Sequence, residues 1–469
     1  MKLHASTALV LALACAFPAL AQSNEDLLKE LRALRDRVTQ LEQKLQQQPA
    51  PAAAAASPAA GQWGMTPEQA RELNRIAVKA ESLQDNFADQ GFKGLKITGQ
   101  MDPSWIYNKR QGDSSFVFLN NGGARYSYDN SYFGMLVLDF EKETEGGSRW
   151  KLTLAPERGT GALINGNSIV HEASVSVPLG DLNTRLWLGQ IPDWTGYELT
   201  LPAGNKFITH NLLFDFMAPT AYTGAVLDVK SGKWWLRGGL ANFNTARNTP
   251  ANKAPVLIYR VDYAKGEFDG FGFGGVHGKT PNYAADGSWF DAAGNEQFFA
   301  SAGKNTETHL LEFDAYFTRG DLSLFGQASY GQQKLAAIFN SDGQLRDARW
   351  WGLSGTLGYA LTPRLEAMLR TDYMNNTKNG GGLLGYTYDD ALNGIGRGLL
   401  ADGSFAKGEG TGANRYALSL GLRYRVDENA TFKVEYRLDG SNQPVFGNAA
   451  GTGFAKTNHL LGASMVVSF

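Results

Sequence analysis

The sequence predicts an all-β membrane protein: a 16-stranded antiparallel transmembrane β-barrel preceded by a short α-helical coiled coil. Three observations lead there. From Phe92 onward the chain is a succession of segments in which apolar and polar residues alternate, the period of a strand with one greasy and one wet face. Short turns and long Gly/Asn/Asp-rich loops take turns between these segments. The chain also ends inside such a segment, "NHLLGASMVVSF", with Phe469 last, whereas the ends of most domains are polar and frayed.

Composition limits the alternatives. Net charge is -2, so no bulk attraction to nucleic acid follows. Charged residues are 19%, against 55 Gly, 26 Phe, 18 Tyr and 10 Trp, a balance suited to tight turns, close strand packing and interfacial aromatic belts. No run of about 18 uncharged apolar residues follows Gln22, which argues against a transmembrane helix in the mature chain.

The elements are expected in this order. Residues 1–21 read as a signal peptide: Lys2, an apolar stretch from Leu3 to Leu20, and "ALA" at 19–21 as the cleavage site. Cys15 lies inside it, so cleavage after Ala21 leaves no cysteine to form a disulfide. Acylation of Cys15 as a lipoprotein is the alternative, but Ala12 stands where Leu is usual. Residues 22–48 form a coiled coil whose seam is Leu27, Leu31, Leu34, Val38, Leu41 and Leu45, an a/d spacing with charges between. The Ala/Pro-rich stretch 49–64 is a spacer with nothing to bury, so the coil must find apolar partners elsewhere, most simply copies of itself. A second helix, 65–91, starts at the capping box Thr66–Gln69 with Pro67 in the first turn.

The barrel occupies 92–469, with strands expected near 94–108, 131–142, 149–158, 169–179, 184–192, 220–231, 233–244, 255–265, 267–279, 308–318, 321–334, 346–361, 364–375, 415–426, 431–439 and 457–469. The turns "ETEGGS", "GDLN", "SG", "KG", "TRGD", "LTPR" and "VDENAT" lie on one side, and the longest loop, 376–414, on the other. In such a barrel the last strand has two neighbours, so its apolar stripe can face lipid and Phe469 can stand in an aromatic girdle with Trp150, Tyr359, Tyr424 and Tyr436.

Alternation assigns the inward, pore-lining charges: Lys96, Asp102, Arg237, Arg260, Asp262, Glu312, Asp314, Glu366, Arg370, Asp372, Arg423, Arg425, Lys433, Glu435 and Arg437. Arg423, Arg425, Lys433 and Arg437, with Arg370 one strand back, could make a basic wall that favours anions. Neutralisation by cross-strand Glu435 and Asp439 is the competing expectation. The loop at 193–219 contains "NLLFDFMAP", too apolar to hang in water. Folded inward, it would bury Leu212, Leu213, Phe214 and Phe216 and set Asn205, Lys206, His210 and Asp215 at a constriction; latching onto a neighbouring subunit is the alternative.

The terminal Phe after an alternating strand resembles the assembly signal of bacterial outer-membrane proteins, with Val467 in place of the usual aromatic two residues earlier. Signal peptide, coiled coil, spacer and barrel together resemble the coiled-coil-bearing trimeric porins of the phosphate or dicarboxylate type. "GQIPDWTGYE" and "ITHNLLFDFMAPTAYTGAVLDV" resemble the third-loop region of OmpL-like porins. The resemblance implies passive diffusion of small hydrophilic solutes across the bacterial outer membrane, by a homotrimer set in outer-membrane lipids. It implies no cofactor and no nucleic-acid partner. The coil would stand in the periplasm, free to meet a periplasmic partner or the cell wall. A barrel that mainly tethers the envelope is the second reading. A barrel enzyme is the third: His4, His171, His210, His277, His309 and His459 are scattered, and neither HExxH nor G-x-S-x-G occurs.

The seam carries its own test. Replacing Leu34 and Leu41 by Asp places unpartnered charges at the helix interface and should leave a 22–48 peptide monomeric in sedimentation. The unaltered peptide should associate; finding it monomeric at high concentration would remove self-association from the account.

Overall fold

In the computed structural model the described residues are 75–79, 82, 93–119, 133–155, 169–219, 221–244, 254–282, 288–290, 296–298, 305–337, 345–380, 412–450 and 453–469. The chain divides into two compact units, Met1–Lys93 and Gly94–Phe469. In the first, residues 75–79 and 82 are helical and exposed. The expected signal peptide, coiled-coil seam and spacer lie outside the described residues.

The second unit is a closed antiparallel barrel. Its first stave is β1 (Leu95–Met101) continued by β2 (Ser104–Asn108). Pro103 interrupts it, because a residue without an N–H cannot donate to a ladder. The second stave is also in two pieces. Strand β3 (Asp113–Val117) pairs with β2, and β4 (Leu136–Glu143) pairs with β1. The sequence predicts this stave at 131–142 alone, and β3 at 113–117 lies outside the strands it predicts. A stave split by an insertion leaves no continuous alternation to read. Gly134 allows the re-entry: its φ is +70° and a Cβ there would lie 2.5 Å from the Val117 carbonyl oxygen.

The remaining staves are single strands: β5 (Arg149–Leu154), β6 (Val170–Leu179), β7 (Asp181–Pro192), β8 (Ala221–Ser231), β9 (Trp234–Asn244), β10 (Val256–Ala264) and β11 (Asp269–Pro281). A hairpin of β12 (Ser288–Phe290) and β13 (Glu296–Phe298) stands in the next loop. The wall continues with β14 (Asn305–Arg319), β15 (Leu322–Gln333), β16 (Ala348–Ala360), β17 (Leu365–Asn375), β18 (Arg415–Arg425) and β19 (Ala430–Ser441). A second loop hairpin pairs β20 (Phe446–Gly447) with β21 (Phe454–Ala455), and β22 (Thr457–Ser468) is the last stave. The 18 segments of the main sheet make 16 staves, because the first two staves each contain two segments. A helix, α1 (Leu212–Met217), lies between β7 and β8.

Closure is made by β22, which pairs with β19 on one side and with β1 and β2 on the other. Register runs Gln100↔Ser468, Met101↔Val467 and Ser104↔Ser464. Phe469 completes it. Its N–H donates to the Gly99 carbonyl at 3.0 Å, and the Gly99 N–H donates to the Phe469 carbonyl at 3.1 Å. The Phe469 ring lies over Gly99, where any Cβ would come within 2.6 Å of it.

Burial is inverted relative to a water-soluble domain. Leu240, Phe273, Phe313, Leu353, Leu420 and Leu422 are exposed, whereas Arg370, Arg415, Arg437 and Asp439 are fully buried. Apolar residues outside and charges inside are the arrangement of a barrel with hydrocarbon around it. Trp150, Trp234, Tyr359, Tyr424 and Phe469 stand exposed near the short-turn end, where an aromatic girdle belongs. The apolar core is inside the barrel, where Leu212, Leu213, Phe216 and Met217 of α1 cluster with Tyr222, Trp350 and Met374 of the wall.

Removing Phe469, or replacing Gly99 by Leu, should lower the yield of heat-modifiable, folded barrel in membranes. A normal yield of gel-shifting protein from both variants would show that this last pairing is dispensable.

Candidate functional site: the lumen and its inward loop

The chain after Pro192 turns into the lumen. The turn is set at once by Asp193, whose carboxylate accepts from the Thr195 N–H at 3.0 Å and from the Tyr222 hydroxyl at 2.6 Å. Burial raises the Asp193 carboxyl above its ordinary range, against these hydrogen bonds, and burial also raises the Tyr197 phenol. Tyr197 therefore stays a neutral hydroxyl; it lies 2.6 Å from Ser354 Oγ and 3.0 Å from Thr356 Oγ1 on β16. Further along, Asn205 Oδ1 accepts from the Leu199 N–H at 2.8 Å and folds the loop onto itself. Asn211 caps α1, accepting from the N–H groups of Leu213 and Phe214 at 2.9 and 2.8 Å. His210 stacks on Phe214 with centroids 4.1 Å apart.

Charged side chains of β17 and β19 fasten the loop to the wall. Glu435 accepts from the Ile208 N–H at 2.9 Å, the Thr209 N–H at 2.8 Å and the Thr209 hydroxyl at 2.6 Å. Arg370 donates to Glu198 at 2.8 Å and to the Thr209 carbonyl at 2.6 Å. Lys433 donates to the carbonyls of Pro202 at 2.9 Å and Asn205 at 2.6 Å. Arg437 donates to the His210 carbonyl at 2.7 Å and pairs with Asp439 at 3.0 Å. None of these four wall residues is more than 2% exposed. Irregular backbone inside a barrel needs partners for its N–H and C=O groups, and these side chains supply them.

The expected pore-lining residues thus fall into groups. Arg370, Asp372, Lys433, Glu435 and Arg437 lie under or against the loop. Asp102 is also buried, accepting from the N–H groups of Gly134 and Met135 at 3.1 and 2.6 Å where the second stave resumes. Across the lumen, Arg237 pairs with Asp262 at 2.8 Å, and Arg260 pairs with Asp262 and Asp314 at 2.7 Å each. Glu312 is buried on β14 beside them. Lys96 is exposed on β1, in register with Glu141. At the turn end, Lys206 pairs with Glu366, Arg423 lies 3.7 Å from Glu366, and Arg425 is exposed. Lys206, Arg364, Arg423 and Arg425 line a cavity of about 300 Å³ there, with Asp321 and Glu366. Asp215 sits buried in α1.

Several residues that matter here were not singled out from the sequence. Glu198 and Thr209 hold the loop, and their partners on the wall are 161 or more residues away along the chain. Lys151 and Glu172, paired at 3.1 Å, could have been read as inward from strand alternation. With Trp187, Trp194 and Trp235 they line a cavity of about 650 Å³ beside the loop. Among the described residues, no group of three or more His, Cys, Asp or Glu side chains could hold a metal ion.

A family model described as "Protein of unknown function (DUF3138)" matches residues 5–469. No curated protein matches the sequence. Among solved structures, in-vitro folded OmpT, an outer membrane protein of Vibrio cholerae, is similar with a TM-score of 0.50 at 9% identity, over 80% of this chain and 97% of that one. An anion-selective porin from Comamonas acidovorans gives a TM-score of 0.46 at 11% identity, over 80% and 99%. OmpF of Salmonella typhi in complex with daunomycin gives 0.45 at 11%, over 80% and 97%. At these identities the likeness concerns the fold.

The loop anchors are testable. Replacing Glu435 by Ala strands two backbone N–H groups and leaves Arg370 short of a carboxylate, a loss of about 3 kcal/mol for a broken buried pair. The expected result is a lower thermal midpoint and faster proteolysis within 193–219. Glu141→Ala, at an exposed wall position, should change neither.

Proposed function

We propose that this chain, which belongs to the DUF3138 family of proteins of unknown function, is an outer-membrane porin for passive diffusion of small hydrophilic solutes. One observation carries the reading: a loop is folded into the lumen of a closed barrel and fastened there by buried charges, so it narrows the bore while the wall beside it stays polar. A barrel that served only to tether the envelope would have no use for a narrowed, charge-lined bore. A channel needs one, because solute selection is the work of the field and width at the narrowest point. Catalysis is not part of the proposal: Asp314 and Glu198 are engaged in ion pairs and Glu435 in loop anchoring. The proposed assembly is a homotrimer in outer-membrane lipid, with the N-terminal coil in the periplasm.

A modest anion preference, of the kind a phosphate or dicarboxylate porin needs, belongs to the same proposal. Its source is the turn-end group. Arg370, Lys433 and Arg437 face loop carbonyls and carboxylates and contribute little to the field in the water. Lys206, Arg364, Arg423 and Arg425 face a cavity with only Asp321 and Glu366 against them. In water each surplus cation biases permeation by on the order of 1 kcal/mol.

Planar-bilayer recording tests both levels. Purified protein should give discrete ohmic steps, and their absence would sink the porin reading. In a salt gradient the reversal potential should indicate anions. Changing Arg364, Arg423 and Arg425 together to Gln should move it toward cations, more at 0.1 M than at 1 M salt, because the screening length falls from about 10 to about 3 Å. An unmoved potential would remove the anion preference and leave the channel.

A further inference from the structure

The cavity beside the inward loop is unlike the rest of the lumen. It holds about 650 Å³ and is lined by aromatic rings: Trp187 from β7, Trp194 and Tyr197 from the loop, Trp235 from β9, Tyr316 from β14 and Phe325 from β15. All six are half-buried, keeping ring surface open inside the barrel. A bore built only to pass ions gains nothing from this, since apolar surface left in contact with lumen water forgoes roughly 25 cal/mol per Å² of burial. Three of the indoles come from two separate staves and the loop, so no single strand pattern places them together.

The polar groups around the rings have a definite character. Lys151 is paired with Glu172, Arg237 with Asp262, and Arg260 with Asp262 and Asp314. Arg237 also lies over the Trp235 ring at 4.0 Å and over the Trp194 ring at 4.9 Å, which holds its guanidinium in place. With Glu198 held by Arg370, the lining sets Lys151, Lys233, Arg237 and Arg260 against Glu172, Asp193, Asp262 and Asp314, so it offers an ionic solute no net attraction. The paired charges do offer fixed donors and acceptors side by side at the edges of flat apolar surfaces. An aromatic hydrocarbon would cover those groups without hydrogen-bonding them, at a desolvation cost. A ring bearing hydroxyl groups stacks its C–H face on an indole and meets the charged pairs with its rim. The volume of about 650 Å³ falls within the range of about 300 to 1,000 Å³ usual for small-molecule sites.

We infer that this cavity is a binding subsite for neutral saccharides, set in the diffusion path beside the loop. The inference rests on the porin reading and adds a solute class to it. Binding here slows and concentrates the solute in the bore, so permeation of a sugar should saturate where permeation of an inert solute does not.

The test is ion-current blockade in a planar bilayer, with cellobiose as the probe and a polyethylene glycol of equal hydrodynamic radius as the size control. Cellobiose should reduce the current with a saturable dependence on concentration, and the polyethylene glycol with a linear one. The double variant Trp187→Ala, Trp194→Ala should weaken the cellobiose block at least tenfold while ion conductance persists. Should that variant fail to fold, the quenching of intrinsic tryptophan fluorescence by cellobiose in the unaltered protein decides: saturable quenching supports the subsite and none overturns it. Ion steps with a linear cellobiose response, or a saturable block unchanged in the double variant, would overturn the subsite and leave the porin standing. No ion steps at all would instead remove the porin reading beneath it.

Discussion

A wall without a free edge is the constraint on which the rest of this molecule depends. Hydrocarbon offers no hydrogen bonds, so each N–H and C=O of the wall needs a neighbouring strand. The last stave therefore cannot end loosely: β22 is held by β19 on one side and by β1 and β2 on the other. The paired bonds between Gly99 and Phe469 extend this to the final residue. Closure also separates inside from outside, and strand alternation then sends apolar side chains to one and charged ones to the other. The buried arginines and the exposed leucines are two results of the same geometry.

Closure creates the second problem, which the inward loop both poses and answers. An irregular segment within a barrel brings unpaired backbone groups into a confined space. Here the wall meets them with ions: Glu435 takes two N–H groups, and Lys433, Arg370 and Arg437 supply donors to loop carbonyls. Arg370 is in turn paired with Glu198 and Glu435, and Arg437 with Asp439, whereas Lys433 is held by three loop carbonyls. The apolar half of the loop needs no such device. Leu212, Leu213, Phe216 and Met217 pack on Tyr222, Trp350 and Met374 as a small core.

Much of the wall was legible because its signal is local. A period of two over ten residues can be read from the residues themselves, and the turns "SG" and "LTPR" punctuate it. The second stave was misplaced for the converse reason: β3 and β4 form one stave in space and two in sequence. The aromatic cavity was not legible at all, because its rings come from strands that look ordinary one at a time. The loop was recognisable by its apolar run, yet its charged fastenings reach across 160 to 231 residues, and nothing in "EYR" or "LRTD" says which backbone groups they will meet.

This bears on how lumen charge should be read. Inward direction is fixed by alternation, but the effect of an inward cation is decided by what covers it. Lys433 and Arg423 sit in register on adjacent strands and point to the same side of the wall. Lys433 is 2% exposed beneath three loop carbonyls, whereas Arg423 opens onto the turn-end cavity. A buried cation surrounded by carbonyls acts through the loop it holds, so its loss is felt as stability and bore width. A cation in lumen water acts through a screened field, and under the proposed porin reading its loss would be felt as a change in ion preference. The cations of β18 and β19 thus make two devices in one stretch of wall, and the boundary between them is drawn by the loop, not by either strand.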